Sequence, residues 1–369
     1  MFLKSFTTII TGSLLLALTA CQNGTNFGLS SVNQGYQQRV SETIVKVDVL
    51  WVVDSSGSME TSQTEVANNF QSFINKFQSS QFDFQMAVVS TDAWVDHIGA
   101  TDPVHNKSIG RSRFNDRIYD AEGKIVLGNS GTFVLDTNTP NLDQTFVEAV
   151  RVGVVGNSDE RGLQSLVGAL ENTANKADGF PRADALLAVI VLTDEEDYSH
   201  DGQDFLPDGS DIYANPALHP VSDYYDYLMD YTNSTQENQK FIFNAISIFD
   251  DACLAELNTG DFQGRVKGLR YQELAVMTGG YQGSLCDDFS DVMSGITDRI
   301  LEFTTRFPLN REPIVDTIRV YVNEAEVAQD VTNGWTYDSV SNSIVFHGTA
   351  IPPQSALVLI NFDPTGLKN

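Results

Sequence analysis

Residues 54–58, Asp-Ser-Ser-Gly-Ser, gather oxygen-bearing side chains in one short stretch of the chain. In a curled loop, the carboxylate of Asp54 and the hydroxyls of Ser56 and Ser58 converge on one point. Hard cations such as Mg²⁺, Mn²⁺ and Ca²⁺ take oxygen ligands of this kind. The stretch therefore predicts a divalent-cation site, and the alternative is a Ser- and Gly-rich turn that caps a helix.

The residues just before this stretch are typical of a buried strand. Residues 46–53 read K-V-D-V-L-W-V-V, an apolar run rich in β-branched side chains, which fits a strand covered on both faces of a parallel sheet. Similar runs at 185–192 and 82–90 end in Thr193-Asp194 and Thr91-Asp92. Because ligands of open α/β sheets bind at the carboxyl ends of strands, we expect Asp54, Asp92 and Asp194 at one edge.

The spacing D-x-S-x-S, present as D-S-S-G-S at 54–58, resembles the metal-ion-dependent adhesion site of the von Willebrand factor A domain. The resemblance implies an α/β fold, with a Rossmann-like, mostly parallel six-stranded sheet and helices on both faces, over residues 43–305. It also implies an open metal coordination position for an acidic group of a partner protein. The implied metal residues are Asp54, Ser56, Ser58 and Asp194, the last acting through water.

One position departs from that family, which supplies a Thr from the loop before the next helix. Residues 155–163 contain no Thr and instead resemble bacterial surface lipoproteins that carry E-x-G-L-[QE], here beginning at Glu160. We expect Glu160 to replace the Thr as a ligand, which would shift the metal preference toward Ca²⁺. The alternative is a solvated helix N-terminus. Competing ligand candidates are Ser158, Asp159, Asp92, Glu195 and Asp197.

More carboxylates follow Asp194 than one metal site needs. Residues 195–197 are Glu-Glu-Asp, and 201–211 are again acidic. They could hold a second cation, but their spacing is not that of an EF-hand, which favours a solvated insertion.

The N-terminus is typical of an exported lipoprotein. Residues 1–20 combine Lys4 with an apolar stretch too short to span a membrane, as in a signal peptide. Residues 18–21, Leu-Thr-Ala-Cys, resemble the lipobox of bacterial lipoproteins, which implies that Cys21 carries acyl chains such as palmitate and anchors the protein to a membrane. Gln22 after this Cys favours the outer membrane of the cell envelope. The alternative is a plain secretory signal, and residues 21–42 are expected to form a flexible tether.

Composition limits the partners and the redox state. The net charge of -27 argues against nucleic-acid binding, because phosphate contacts need clustered Lys and Arg. With Cys21 acylated, Cys253 and Cys286 remain as a natural disulfide pair in an oxidising compartment, or as two free buried thiols.

The last part of the chain, 306–369, has alternating strand patterns and a hairpin signal at Asn333-Gly334. It predicts a small β-sandwich-like domain with no chemical motif.

The sequence carries no G-x-S-x-G elbow, P-loop, H-E-x-x-H or paired-Cys zinc motif. The leading hypothesis is therefore a surface-anchored, metal-dependent protein-binding or adhesion module. The alternatives are a structural scaffold of the cell envelope, in which a metal only stabilises the loops, and a metal-dependent hydrolase built on Asp54 and Asp194.

Overall fold

The computed structural model describes residues 36–40, 46–79, 83–97, 112–115, 118–119, 125–127, 131–156, 159–202, 215–235, 239–259, 263–353 and 356–366. The strands are β1 (Tyr36–Val40), β2 (Lys46–Val53), β3 (Asp83–Ser90), β4 (Ile118–Tyr119), β5 (Ile125–Leu127), β6 (Leu135–Asp136), β7 (Leu186–Leu192), β8 (Phe241–Ser247), β9 (Gln282–Ser284), β10 (Arg306–Pro308), β11 (Arg319–Val322), β12 (Ala325–Val327), β13 (Trp335–Asp338), β14 (Ser343–Phe346) and β15 (Val358–Phe362). The helices are α1 (Glu60–Ser79), α2 (Trp94–His97), α3 (Leu142–Val150), α4 (Gly162–Glu171), α5 (Thr173–Ala177), α6 (Val221–Tyr231), α7 (Asp251–Leu257), α8 (Leu269–Thr278) and α9 (Phe289–Thr304).

A six-stranded sheet forms the centre of the larger part of the molecule. Its order is β6-β3-β2-β7-β8-β9. All neighbouring pairs are parallel except β3 with the short edge strand β6. The predicted Rossmann-like, mostly parallel sheet is confirmed.

Helices cover both faces of this sheet because its central strands are apolar on both sides. On one face, Val49, Trp51 and Val53 of β2 pack with buried side chains of α1, α3 and α9. On the other face, Leu50 and Val52 pack with α4, α6 and α8. The sheet is therefore a rigid platform, and the loops at its carboxyl end are held from both sides.

The second part of the molecule is a β-sandwich, as predicted. One sheet has the order β1-β15-β11-β12 and the other β10-β14-β13. Apolar side chains from both sheets, including Val320, Trp335, Phe346 and Ile360, share one core.

The predicted boundaries need one correction. Residues 21–42 were expected to be tether, yet 36–40 form β1, which pairs antiparallel with β15 along its whole length. This five-residue strand has only a weak alternation of apolar and polar residues, so the sequence does not reveal it. Its pairing with a strand more than three hundred residues away identifies it. The signal peptide, Cys21 and the rest of the tether lie outside the described residues.

A disulfide joins Cys253 in α7 to Cys286, two residues after β9. It fastens the segment after the edge strand β9 to α7, and this pairing of Cys253 with Cys286 is the one that the sequence predicts. Within the described residues, no helix combines the length and the apolar character needed to cross a bilayer.

Candidate metal centre

The predicted site lies at the switch point of the sheet. The chain leaves β2 toward β3 on one side and leaves β7 toward β8 on the other, so the loops after β2 and β7 diverge and open a crevice. Asp54 follows β2 directly, and Thr193-Asp194 follow β7. The amide of Asp54 donates to the carbonyl of Leu192 at 2.9 Å, which holds the two loops side by side.

Asp54 is completely buried and is held by its neighbours on both loops. One carboxylate oxygen accepts from the Ser56 amide at 2.6 Å, and the other accepts from the Thr193 hydroxyl at 2.8 Å. Burial, followed by the negative charge of Asp194, raises the pKa of Asp54 to about 7. A cation between these carboxylates would relieve both effects.

A chain of hydroxyls links the first loop to the second. The Ser56 and Ser58 Oγ atoms lie 3.0 Å apart, and Ser58 Oγ donates to Asp194 Oδ1 at 2.9 Å. The four residues that the D-x-S-x-S resemblance implicates are thus brought together, on two loops 136 residues apart in sequence.

Arg265 is a cationic neighbour that the sequence did not predict. Its Nε donates to Asp194 Oδ2 at 2.5 Å, and its Nη1 donates to the Leu257 carbonyl at 2.6 Å. The pKa of Asp194 is raised by burial, and Arg265 opposes that rise. Asp194 is therefore partly neutralised by Arg265, and its predicted water-mediated contact with a metal stays a prediction.

Two further contacts hold the first loop in shape. Gln63 of α1 donates from Nε2 to the carbonyls of Asp54 and Gly153, at 2.7 and 2.9 Å. The amide of Gly156 donates to the Ser55 carbonyl at 2.7 Å. A Cβ at Gly156 would lie 2.1 Å from Ser55 Oγ, so this close approach requires glycine. The 153–156 loop therefore packs against the backbone of the Asp54–Ser58 loop and holds it in place.

Glu160, the predicted replacement ligand, is completely buried beside this cluster. Neither carboxylate oxygen has a hydrogen-bond partner. Burial, then the charges of Asp54, Glu195 and Asp92, raises the pKa of Glu160 well above its usual range. The nearby Thr91 hydroxyl opposes this shift, although its geometry does not meet that of a hydrogen bond to Glu160.

Asp159, a competing ligand candidate, has a structural role. Arg161, itself fully buried, donates to both of its oxygens, with Nη2 to Oδ2 at 2.6 Å. The guanidinium also lies 3.9 Å from the centre of the Trp94 ring. Both carboxylate oxygens of Asp159 therefore accept hydrogen bonds from Arg161, which makes Asp159 a poor candidate for a metal ligand.

The acidic run after Asp194 fastens two helices to the sheet. Glu196 accepts from the amides of Leu269 and Arg270 at the start of α8, and burial raises its pKa to about 8. Asp197 accepts from the Leu163 amide at the start of α4 and pairs with Arg270. These partners make Asp197 a poor candidate for a metal ligand as well. Glu196 and Asp197 instead stabilise the N-termini of two helices.

The remaining candidates differ in position. Asp92 is buried and accepts from the Ser55 hydroxyl at 3.2 Å. Glu195 is half-buried, and its charge acts on Glu160. Both border the site. Ser158 lies outside the described residues, as does most of the acidic segment 201–211.

The donor set fits a hard divalent cation. In the part of the chain that the structure describes, no three His, Cys, Asp or Glu side chains already surround a common point. The predicted donors include two hydroxyls, however, and such a set does not need three carboxylates. The buried carboxyl of Glu160, which accepts no hydrogen bond on either oxygen, is a further donor that such a cation could use.

Sequence reasoning missed Gln63 and Arg265. Gln63 had a signal: it interrupts the buried face of α1 between Met59 and Val66, where a polar residue must find a buried partner. Arg265 had none, because its loop has no strand or helix pattern to place it.

No protein-family model and no curated protein matches the chain. Among solved structures, it is similar to the pilus adhesin SpaC of Lactobacillus rhamnosus GG in its open conformation, at 14% identity and a TM-score of 0.38, over 87% of this chain and 39% of that one. It is also similar to the pilus adhesin RrgA of Streptococcus pneumoniae, at 10% identity and a TM-score of 0.28, over 88% and 57%.

Another similar structure is proximal thread matrix protein 1 of the mussel byssus, in a form with a zinc-occupied MIDAS motif. Its identity is 13% and its TM-score 0.32, over 70% of this chain and 47% of that one. The chain covers less than two thirds of each of these proteins. Similarity this distant does not transfer residue roles, so the site is argued from its own geometry.

Proposed function

We propose that this protein is a metal-dependent binding module of the von Willebrand factor A type, exported and anchored to the bacterial surface through Cys21. The observation that carries the proposal is the convergence of Asp54, Ser56, Ser58 and Asp194 at the switch point of the sheet. Asp54, the two serines and Glu160 would hold a divalent cation, and Asp194 would orient water on it. A bound cation would supply an open position for a carboxylate of a partner protein.

A cavity beside the site gives the partner a route to it. Its volume is about 540 Å³, and Ser58, Asp194 and Arg265 line its inner end. The apolar side chains of Leu257, Leu285 and Phe289 line another part of it. Arg265 is the basic residue of this lining and is already paired with Asp194, whereas Glu65, Asp287 and Asp288 add negative charge. A partner carboxylate would therefore depend on the bound cation for its attraction to the site.

The first test is calorimetric titration of the chain without its first 21 residues with Mg²⁺, Mn²⁺ and Ca²⁺, beside an Asp54→Ala variant. This chain keeps every described element. We expect one cation site in the wild type and none in the variant, because the variant loses the ligand at the centre of the loop. Binding that persists in Asp54→Ala would contradict the proposed site.

The second test asks whether the cation recruits a carboxylate. Arrays of peptides that contain Asp or Glu are compared with the same peptides carrying Asn or Gln. Capture that needs both the carboxylate and the metal, and that is lost in Asp54→Ala, supports binding. Exposed Asp251→Ala is the matched control.

One alternative has a structural argument in its favour. Gln63, Gly156 and Arg265 already tie the top loops together, as in an envelope scaffold whose metal only stabilises. That scaffold would show metal-dependent thermal stability. Peptides with Asp or Glu would be captured no better than the same peptides with Asn or Gln.

A further inference from the structure

A second cavity lies at the end of the large sheet opposite the candidate metal centre, where the sheet meets the β-sandwich. Its volume is about 580 Å³, which is typical of small-molecule sites, and such sites are frequent where domains meet. Lys46 and Leu186 line it from the starts of β2 and β7, and Arg306 and Ser343 line it from the starts of β10 and β14. Both parts of the molecule therefore contribute to its walls.

The charge of this lining is opposite to that of the chain. Acidic residues outnumber basic ones by 49 to 22 in the sequence. In the described part of the chain, the cavity is nevertheless lined by one acidic residue, Asp184, and by four basic ones, Lys46, Lys240, Arg299 and Arg306. Because like charges in one concave site raise the local potential, this basic cavity attracts anions that most of the surface repels.

Two of the four cations have structural partners. Lys46 Nζ pairs with Asp184 Oδ2 at 2.6 Å. Arg299 Nε donates to the Gly279 carbonyl at 2.6 Å, at the C-terminal end of α8, where a cation stabilises the helix. Arg299 also pairs with Glu302 at 2.9 Å. These contacts account for Lys46 and Arg299 without a ligand.

The other two cations, Lys240 and Arg306, keep donors that the protein does not use. Lys240 donates from its amide to Ser234 Oγ at 2.9 Å, but its ammonium takes part in no hydrogen bond or ion pair within the described residues. Arg306 Nη1 lies 3.5 Å from Asp338 Oδ2, which is long for a charge-assisted hydrogen bond. The Nε of Arg306 has no acceptor among the described groups.

Apolar side chains adjoin these two cations. Met277 of α8 and Phe303 of α9 line the same cavity, and the Arg306 guanidinium lies 5.7 Å from the centre of the Phe303 ring. Val276, also in the lining, is 61% exposed although it is apolar. A ligand with an anionic group and a flat apolar part would match both kinds of wall.

We infer that the basic cavity binds a small amphipathic anion, whose phosphate or carboxylate contacts Lys240 and Arg306 and whose apolar part packs on Met277 and Phe303. An arginine can form two parallel hydrogen bonds with either oxyanion, and a lysine adds a compact charge. The ligand would contact the α/β part through Lys240 and the β-sandwich through Arg306. The candidate metal centre has no part in this inference.

The test titrates phenyl phosphate, benzoate and benzyl alcohol into the chain without its first 21 residues, by calorimetry at low ionic strength. A chelator is present, so that no anion binds through a divalent cation. We expect saturable binding of at least one anion in the millimolar range, and binding of benzyl alcohol that is weaker by about tenfold or more, because it lacks the charge. The anion that binds more tightly identifies the oxyanion that the cavity prefers.

Lys240→Gln and Arg306→Gln should each weaken anion binding by about tenfold, since each removes a charge-assisted contact. Arg306→Lys should recover part of the lost affinity, because it keeps the charge without the planar fork. Lys176→Gln removes the same charge from an exposed position in α5 and is the matched control. Thermal unfolding without ligand shows that each variant is folded, and Asp54→Ala should bind the anion like the wild type.

The outcomes separate a built anion site from a general attraction of charge. Affinity lost in Lys240→Gln and Arg306→Gln but kept in Lys176→Gln supports the inference. Three results would each overturn it: no saturable anion binding to the wild type, binding of benzyl alcohol as tight as that of the anions, or the same affinity in Lys240→Gln and Arg306→Gln as in the wild type.

Discussion

At the scale of single residues, the candidate site depends on hydrogen bonds that act on its backbone as much as on its ligands. Asp54 follows a strand, and its carbonyl would be unsatisfied at the end of that strand. Gln63 satisfies it and joins it to Gly153, so one amide group holds two loops. The candidate ligand loop is thereby fixed by the protein itself, which would lower the entropy cost of the proposed cation binding.

This arrangement predicts a specific defect for Gln63→Ala. Two buried carbonyls lose their donor, so the free energy of unfolding should fall by about 2–4 kcal/mol. Cation affinity should also fall, because the Asp54 loop is no longer fixed. Urea denaturation and calorimetric titration measure the two effects.

Gln71→Ala is the matched control, because Gln71 is exposed on the same helix and bonds only Asn75 in its side-chain contacts. A Gln63→Ala variant as stable as Gln71→Ala would contradict the clamping role.

At the scale of elements, buried carboxylates connect strands and helices at both ends of the sheet. At the carboxyl end, Glu196 and Asp197 hold the starts of α8 and α4. At the amino end, Asp48 of β2 is fully buried and accepts from Arg182, with Nη2 at 2.6 Å. Arg182 also pairs with Asp83 at the start of β3. Hydrogen bonds and ion pairs of buried carboxylates therefore join the sheet to neighbouring elements at both of its ends.

Arg182→Met should destabilise the fold in a pH-dependent way. Removal of one partner of a buried pair costs about 3–5 kcal/mol at neutral pH. The pKa of Asp48 is already raised by burial and is lowered by Arg182, so it rises further in the variant. A carboxyl group with a raised folded pKa is favoured in its protonated form, so the deficit shrinks as the pH falls through that folded pKa.

Urea denaturation at about pH 7 and about pH 4.5 tests this sign, with the difference between wild type and variant smaller at the lower pH. Lys46→Met is the control, since Lys46 pairs with the exposed Asp184, and that pair contributes under about 1 kcal/mol. A deficit that grows on acidification would refute the assignment.

At the scale of the whole molecule, strands from before and after the α/β part pair in one sheet. β1 precedes the α/β part and β15 is the last described strand, yet they pair over five residues. The β-sandwich is therefore closed by the segment that leads from the predicted lipid anchor. If the proposed function is correct, this folded domain connects the candidate metal site to the predicted anchor.

A chain that begins at Thr43, where the sequence alone places the start of the α/β domain, should have a weakened β-sandwich. It loses β1 and turns β15 into an edge strand, at a cost of about 2–4 kcal/mol from lost ladder hydrogen bonds. Hydrogen exchange of the amides in β15 should accelerate, while cation binding at Asp54 stays unchanged. A chain that begins at Asn33 keeps β1 and is the control. Equal exchange in the two chains would show that β1 contributes no stability.

The sequence alone determined the larger architecture and the centre of the site. Runs such as 46–53 and 185–192 are apolar throughout, which only a strand buried on both faces requires. The polar residues that end them had to fall at one edge, since parallel strands end together. Asp54, Ser56, Ser58 and Asp194 could therefore be placed at that edge from local pattern, while their role as metal ligands is what the D-x-S-x-S resemblance implies.

Only the tertiary structure decided which of the many carboxylates are available. Asp159, Glu196 and Asp197 have the same chemistry as Glu160, but arginines and helix N-termini saturate them, and no partner reaches Glu160. The pairing of β1 with β15 and the placement of Arg265 were likewise beyond the sequence. Each depends on contacts between residues far apart in the chain, and such contacts leave no periodic or local signal.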